Sequence, residues 1–343
     1  MTVSDQQFPA SIENSSLAND LSVFLIRIFA WFNILAMVIY LLNNYLNFWR
    51  GWPGFASVLS GPMTGGTVQF LGWVQVASYL FTLVGAVLIV SYSKNRNLRQ
   101  DSQIMQNITN YIIRAAFWMV VFVGLTDMLI SFLRVEELLD SVVGKEIADN
   151  LGRSHYRGTF VHMPLILISL IVAAFTRTLG FTWLALLVVI AELQIVLLRF
   201  VFSYEQAFMG DIVRFWYAGL FLFASAYTLI EEGHVRVDVL YSGFRDSTKG
   251  LVNFVGSIIL GLSLCWIILA VGFAGKSSII NAPILSFEVT QSGFGMYVKY
   301  LMAGFLAIFA ISMLIQFCAY LLEGYADYRG DPGKRQLESD LQH

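Results

Sequence analysis

The chain has 343 residues, of which 57% are hydrophobic and 13% charged, with a formal net charge of −2 and a mean hydropathy of +0.68. A soluble domain carries roughly 25% charged residues, so a soluble globular fold is excluded, and the near-neutral balance gives no basis for a nucleic-acid or polybasic partner. Several apolar runs reach the length of about 20 residues that crosses a ~30 Å hydrocarbon core as helix, and none alternates in polarity as membrane β-strands of about 10 residues do. The expected fold class is an all-α polytopic membrane protein with about eight transmembrane helices.

The first twenty residues are polar and slightly acidic, without the basic start and short apolar core of a cleavable signal. Insertion is therefore expected to rely on the first membrane helix. Eight apolar spans follow in chain order: Phe24–Leu46, Val68–Tyr92, Ala115–Leu133, Phe160–Thr176, Phe181–Phe202, Ile212–Ile230, Leu251–Phe273 and Met296–Leu322. Only "RTLG" separates the fourth from the fifth, which leaves a tight hairpin or one broken helix open there. Longer polar loops join the first three spans, including the mixed-charge stretch "RVEELLDSVVGKEIADNLGRSHYRG", whereas the last four are compact. "DMLISFLR" (Asp127–Arg134) and "ELQIVLLR" (Glu192–Arg199) form a faint internal echo, an acid with an arginine seven residues later.

Lys and Arg in short loops decide orientation. Lys94, Arg96 and Arg99 follow the second span, Arg177 the fourth, Arg236, Arg245 and Lys249 the sixth, and Arg329, Lys334 and Arg335 the eighth. Even-numbered loops are thus expected on the cytoplasmic side, with both termini. Arg27 and Lys299 fall near span ends, where long cationic side chains snorkel to headgroups.

Asp127 and Glu192 fall inside spans, where an ionised group is costly and should face protein or water. The alternatives are a proton or cation site, a packing hydrogen bond to a neighbouring helix, and simple protonation. Arg199 and Arg214 lie near the outer ends of neighbouring spans with Asp211 between them; snorkelling competes with an arginine–acid clamp. Cys265 and Cys318 lie in apolar runs and read as packing residues rather than a disulfide or metal pair. Ser257, Gly261 and Cys265 form a small-residue stripe on the seventh span, and Ala303 and Ala307 one on the eighth, as helices that approach closely in membranes require. A haem-carrying subunit needs axial ligands within helices; of the four histidines only His162 comes near one. "GPMTGG" lacks the Lys-Ser/Thr of a phosphate loop. No cofactor, metal site or catalytic residue is expected, and no enzyme activity.

The most unusual stretch is "LIEEGHVRVDVLYSGF", Leu229–Phe244. Gly233 stands where a helix should end, the usual place for a left-handed residue. Beyond it His234, Arg236 and Asp238 alternate with Val235, Val237 and Val239, a period that puts polar groups on one side. Glu231 and Glu232 lie at a helix C-terminus, where the dipole disfavours anions, so Arg236 and His234 can compensate. On residues alone this is a solvated turn or a docking motif.

"EEGHVRVDVLY" resembles the signature of the small membrane subunit of tripartite ATP-independent periplasmic (TRAP) transporters, the DctQ-like subunit. "LQIVLLRFVF" (Leu193–Phe202) is similar to the end of that family's first helix, and "GDIVRFWYAGLFLFASAYTLIEEGHVRVD" to its second helix. The last two spans match in hydropathy and spacing. The resemblance covers about residues 177–325, preceded by an N-terminal extra bundle of about four helices (1–176) and followed by a polar cytoplasmic tail (326–343). It implies a non-catalytic subunit bracing a large transport subunit. The partners implied are that large TRAP membrane subunit and a periplasmic solute-binding protein, and the activity is sodium-coupled import of a solute, typically an organic acid, across a bacterial inner membrane. It also implies that Glu232, Gly233, His234, Arg236 and Asp238 form a subunit or membrane-lipid interface. The rival readings are an autonomous secondary transporter and the membrane anchor of a redox enzyme.

Overall fold

A computed structural model describes residues 21–58, 66–177, 180–230, 241–289 and 295–334. Among the described residues there is no strand, and eight helices are long and apolar enough to cross a membrane. They are α1 (Leu21–Trp49), α2 (Gly66–Tyr92), α3 (Leu98–Val135), α6 (Ser154–Phe175), α7 (Phe181–Phe202), α8 (Ala207–Ile230), α9 (Asp246–Gly272) and α11 (Lys299–Arg329). Short helices α4 (Leu139–Val143), α5 (Lys145–Leu151) and α10 (Asn281–Ser286) lie in the connections. The expected all-α polytopic fold is what the chain adopts.

Two features differ from the apolar pattern. Helix α3 begins 17 residues before the expected Ala115 and runs for 38 residues, about 57 Å at the α-helical rise. Its polar first half is helical because one stripe of it is buried: Leu98, Asp101, Ser102, Met105, Thr109 and Ile113. The third connection, which reads as a polar loop, is a helical cap in which Leu139, Ala148 and Leu151 form a small core with Ile130, Leu133 and Tyr156.

At "RTLG" the chain forms two helices. Thr176 is extended, and Gly180 is left-handed with φ 77°. Glycine is required there twice over, since a Cβ would also sit 2.4 Å from the Phe117 ring. Two helices carry a π-turn, Gly158–His162 in α6 and Ser257–Leu262 in α9.

The chain divides into two compact units, one of residues 1–107, 234–265 and 314–343, the other of residues 108–233 and 266–313. In the first unit α1 packs on α2 through a polar ladder. Gln75 Nε2 donates to the Oδ1 atoms of Asn43 and Asn47, at 3.1 and 2.7 Å, and Asn43 Nδ2 to Ser78 Oγ at 3.0 Å; such bonds join helices where apolar burial gives no preference. Arg27 does not snorkel. It is 1% exposed and donates to Asp101 at 2.8 Å and to the Ser93 carbonyl and hydroxyl at 2.9 Å. A buried carboxylate at the start of α3 holds the guanidinium more tightly than headgroups would.

The small-residue stripe of α9 packs within the chain. A Cβ on Gly261 would meet the Phe317 ring at 2.5 Å, and one on Gly250 would meet the Tyr328 backbone nitrogen at 2.4 Å. Cys265 and Cys318 are free and fully buried. In the second unit α7 lies against α8, and Phe215 and Phe223 flank Phe305 with ring centroids 5.0 Å apart in each pair.

Candidate functional site

The motif residues Glu232, Gly233, His234, Arg236 and Asp238 lie outside the described residues. Immediately after them, Tyr241 exchanges hydrogen bonds with the Asn253 side chain, which donates to the Tyr241 hydroxyl at 2.9 Å. Lys249 Nζ lies 5.7 Å from the centroid of the Tyr241 ring. The chain leaving the motif is thus tied to the first turns of α9.

Asp127 is the centre of the most concentrated polar chemistry in the second unit. It projects from α3 and is fully buried. Its Oδ1 accepts from Arg157 Nη1 and from His162 Nε2, each at 3.0 Å, and its Oδ2 accepts from the backbone N–H of Tyr297 at 2.7 Å. Arg157 and His162 are also fully buried. Arg157 donates further to Ser131 Oγ at 3.2 Å and to the Leu151 carbonyl at 3.0 Å. Its guanidinium carbon stands 4.0 Å from the centroid of the Tyr297 ring, a cation on an aromatic face. His162 Nδ1 meets the Tyr300 hydroxyl at 2.8 Å. Nε2–H donates to the carboxylate, and Nδ1 faces a hydroxyl that can donate or accept.

The π-turn of α6 helps build this arrangement. It begins at Gly158 and ends at His162, so the wider turn sits between the arginine and the histidine that share one carboxylate. Gly158 has no room for a side chain, since a Cβ would lie 2.2 Å from the Phe287 ring. Each partner lies far from Asp127 in sequence, by 30, 35 and 170 residues. The residue pattern therefore offered little sign of them. Arg157 at the mouth of an apolar run was the one available signal.

Asp211 performs a matching task. It is buried in the first turns of α8, and its Oδ2 accepts the Met296 backbone N–H at 3.0 Å. Asp127 and Asp211 thus hold two consecutive amides just before α11. Carboxylates are favoured there because the N-terminus of a helix carries partial positive charge. Arg214 stands 3.6 Å from the other Asp211 oxygen and is 75% exposed, while Arg199 pairs with Glu205 at 3.4 Å. The acid facing Arg199 across the hairpin is therefore Glu205, which lies closer to it in the turn than Asp211. In the same turn Tyr204 donates to Glu136. Burial, then the neighbouring carboxylate, pushes the Tyr204 hydroxyl up to about 12, so it remains a donor.

Glu192 is placed differently from the other acids. It lies on the exposed side of α7 and makes no hydrogen bond or ion pair with any described residue. Among the described residues no group of three or more His, Cys, Asp or Glu is positioned to hold a metal ion.

The residues that surround Asp127 neutralise and saturate it. One carboxylate takes two side-chain donors and one backbone donor, and the histidine has both ring nitrogens engaged. The arrangement is suited to fixing helices rather than to passing a solute.

No curated protein and no solved structure matches the chain. Residues 185–325 match the family described as tripartite ATP-independent periplasmic transporters, DctQ component. That stretch takes in most of α7, all of α8 to α10 and most of α11. The part of the chain from 185 to 325 is thus similar to the DctQ component of TRAP transporters.

Proposed function

We propose that the chain is the small, non-catalytic membrane subunit of a TRAP-type importer in a bacterial inner membrane, bracing a large transport subunit. The match of residues 185–325 to the DctQ component carries this reading. The network around Asp127 supports it, because a solute or ion site needs groups that open to a passing ligand, whereas the Asp127 carboxylate and both His162 ring nitrogens are engaged within the protein. A periplasmic solute-binding protein delivers the solute, an organic acid, and sodium drives its uptake. Residues 1–176 form an additional helical bundle beside the family region, and residues 326–343 a cytoplasmic tail. Glu232, Gly233, His234, Arg236 and Asp238 face the large subunit or lipid headgroups at the cytoplasmic turn.

The test is reconstitution in liposomes under a sodium gradient with a panel of organic acids. The chain alone is expected to give uptake no higher than empty vesicles, and uptake is expected when the large subunit and the binding protein are added. Transport by the chain alone would overturn the reading.

A further inference from the structure

We infer that the exposed face of α7 around Glu192 is the docking surface for a transmembrane helix of the large subunit that presents a hydrogen-bond donor at mid-membrane depth. The inference rests on the small-subunit reading and adds to it the contact surface and the chemistry that the partner must bring.

Helix α7 has 22 residues, Phe181–Phe202. Of the eight spanning helices it is the least covered by the rest of the chain, with only 11% of its apolar window buried. Leu184 and Ala191 are its buried residues, and α8 packs against it. Glu192 lies close to the midpoint of this helix. At the helical rise each end is about 15 Å away, which places the carboxyl near the centre of a ~30 Å hydrocarbon core. A glutamate side chain is too short to reach the headgroups from there, unlike a lysine or arginine near a helix end.

The protein's buried acids show how it treats a carboxylate removed from water. Asp127 takes an arginine, a histidine and a backbone amide. Asp101 takes Arg27 and the Trp31 indole. Asp211 takes a backbone amide. Glu192 has none of these among the described residues, and it faces outward. Hydrocarbon offers no donor and none of the described residues reaches it, so a carboxyl on this face gains from a donor brought by a partner helix. Val189 and Val196, one turn to either side on the same face, are 62% and 47% exposed. They supply an apolar rim about the acid. The occupant is therefore a protein helix carrying Ser, Thr, Asn, Gln, Lys or Arg at that level.

The test uses the full-length chain coexpressed with the large subunit, as wild type, Glu192→Leu and Glu192→Gln at matched membrane levels. Glu192→Leu is expected to reduce the copurified large subunit at least tenfold, and Glu192→Gln, which keeps an acceptor, to reduce it less. A photoreactive residue at position 189 or 196 of the otherwise wild-type chain is expected to crosslink to the large subunit. If the wild type copurifies with the large subunit, equal copurification of Glu192→Leu, or crosslinks only to lipid or a second copy, would overturn the docking surface and leave the small-subunit reading standing. If the wild type itself fails to copurify, both fall.

Discussion

At the scale of single residues, buried charge is arranged in pairs that would be expensive to break. Removing one partner of a buried ion pair leaves an uncompensated charge and costs about 3–5 kcal/mol, whereas replacing both with apolar groups of similar size is often close to neutral. Arg157→Met should therefore lower the thermal unfolding temperature of the detergent-purified chain markedly, as should Asp127→Leu. The double variant is expected to lose much less than the sum, the coupling that contacting residues show. Additive losses would mean that the pair contributes no mutual stabilisation. Asp127 was legible in the sequence as an intramembrane acid that should face protein or water, but its partners were not. Arg157 lies within the mixed-charge stretch and was not singled out, His162 reads only as an unpromising haem ligand, and the Tyr297 amide has no side-chain signature at all.

At the scale of elements, hydropathy located every spanning helix because a run of apolar residues has no other stable form in a membrane. It missed the polar start of α3, where helix formation depends on a buried stripe that includes Asp101 and its partner Arg27. It also missed how closely α9 approaches α11. Gly250 and Gly324 face one another there: a Cβ on Gly250 would sit 2.7 Å from the Gly324 carbonyl oxygen, and one on Gly324 would sit 3.0 Å from the Gly250 carbonyl oxygen. Sequence reading singled out Gly261 because it fell in a four-residue stripe, and passed over Gly250 because it lies among polar residues. Gly→Ala at a helical site with room stabilises by about 0.4–1 kcal/mol. At Gly250 the added methyl meets backbone, which has no alternative rotamer, so overpacking of about 1–3 kcal/mol is expected instead. Thermal unfolding of Gly250→Ala beside Gly256→Ala separates the two cases, because a Cβ at Gly256 meets nothing within 4 Å. Equal behaviour of the two variants would contradict the close approach.

At the scale of the whole molecule, the loops sort into two sets within the two units. In the first unit Arg99 holds Glu323 and Asp327, Arg329 reaches Ser22, and Ser247 donates to the Tyr328 carbonyl. These contacts join the first turns of α1, α3 and α9 to the end of α11, all of them helix ends that the basic-residue rule assigns to the cytoplasm. In the second unit Tyr297 meets Arg134, Tyr204 meets Glu136, and Asp211 meets the Met296 amide. These join the connections after α3, α7 and α9, which the same rule assigns to the outside. By that rule eight spans would carry both termini on the cytoplasmic side, whereas a seven-span chain, with the fourth and fifth runs fused, would put the even loops on opposite sides. Cys265 and Cys318 are buried, and replacing both provides a clean background for single cysteines at Ser141 and Ser247, which are exposed. In intact cells, with their outer membrane permeabilised, an impermeant thiol reagent should label Ser141→Cys and spare Ser247→Cys until the inner membrane is opened. Labelling of Ser247→Cys from the periplasm would reverse the orientation and with it the side of the membrane expected to carry the Glu231–Asp238 motif.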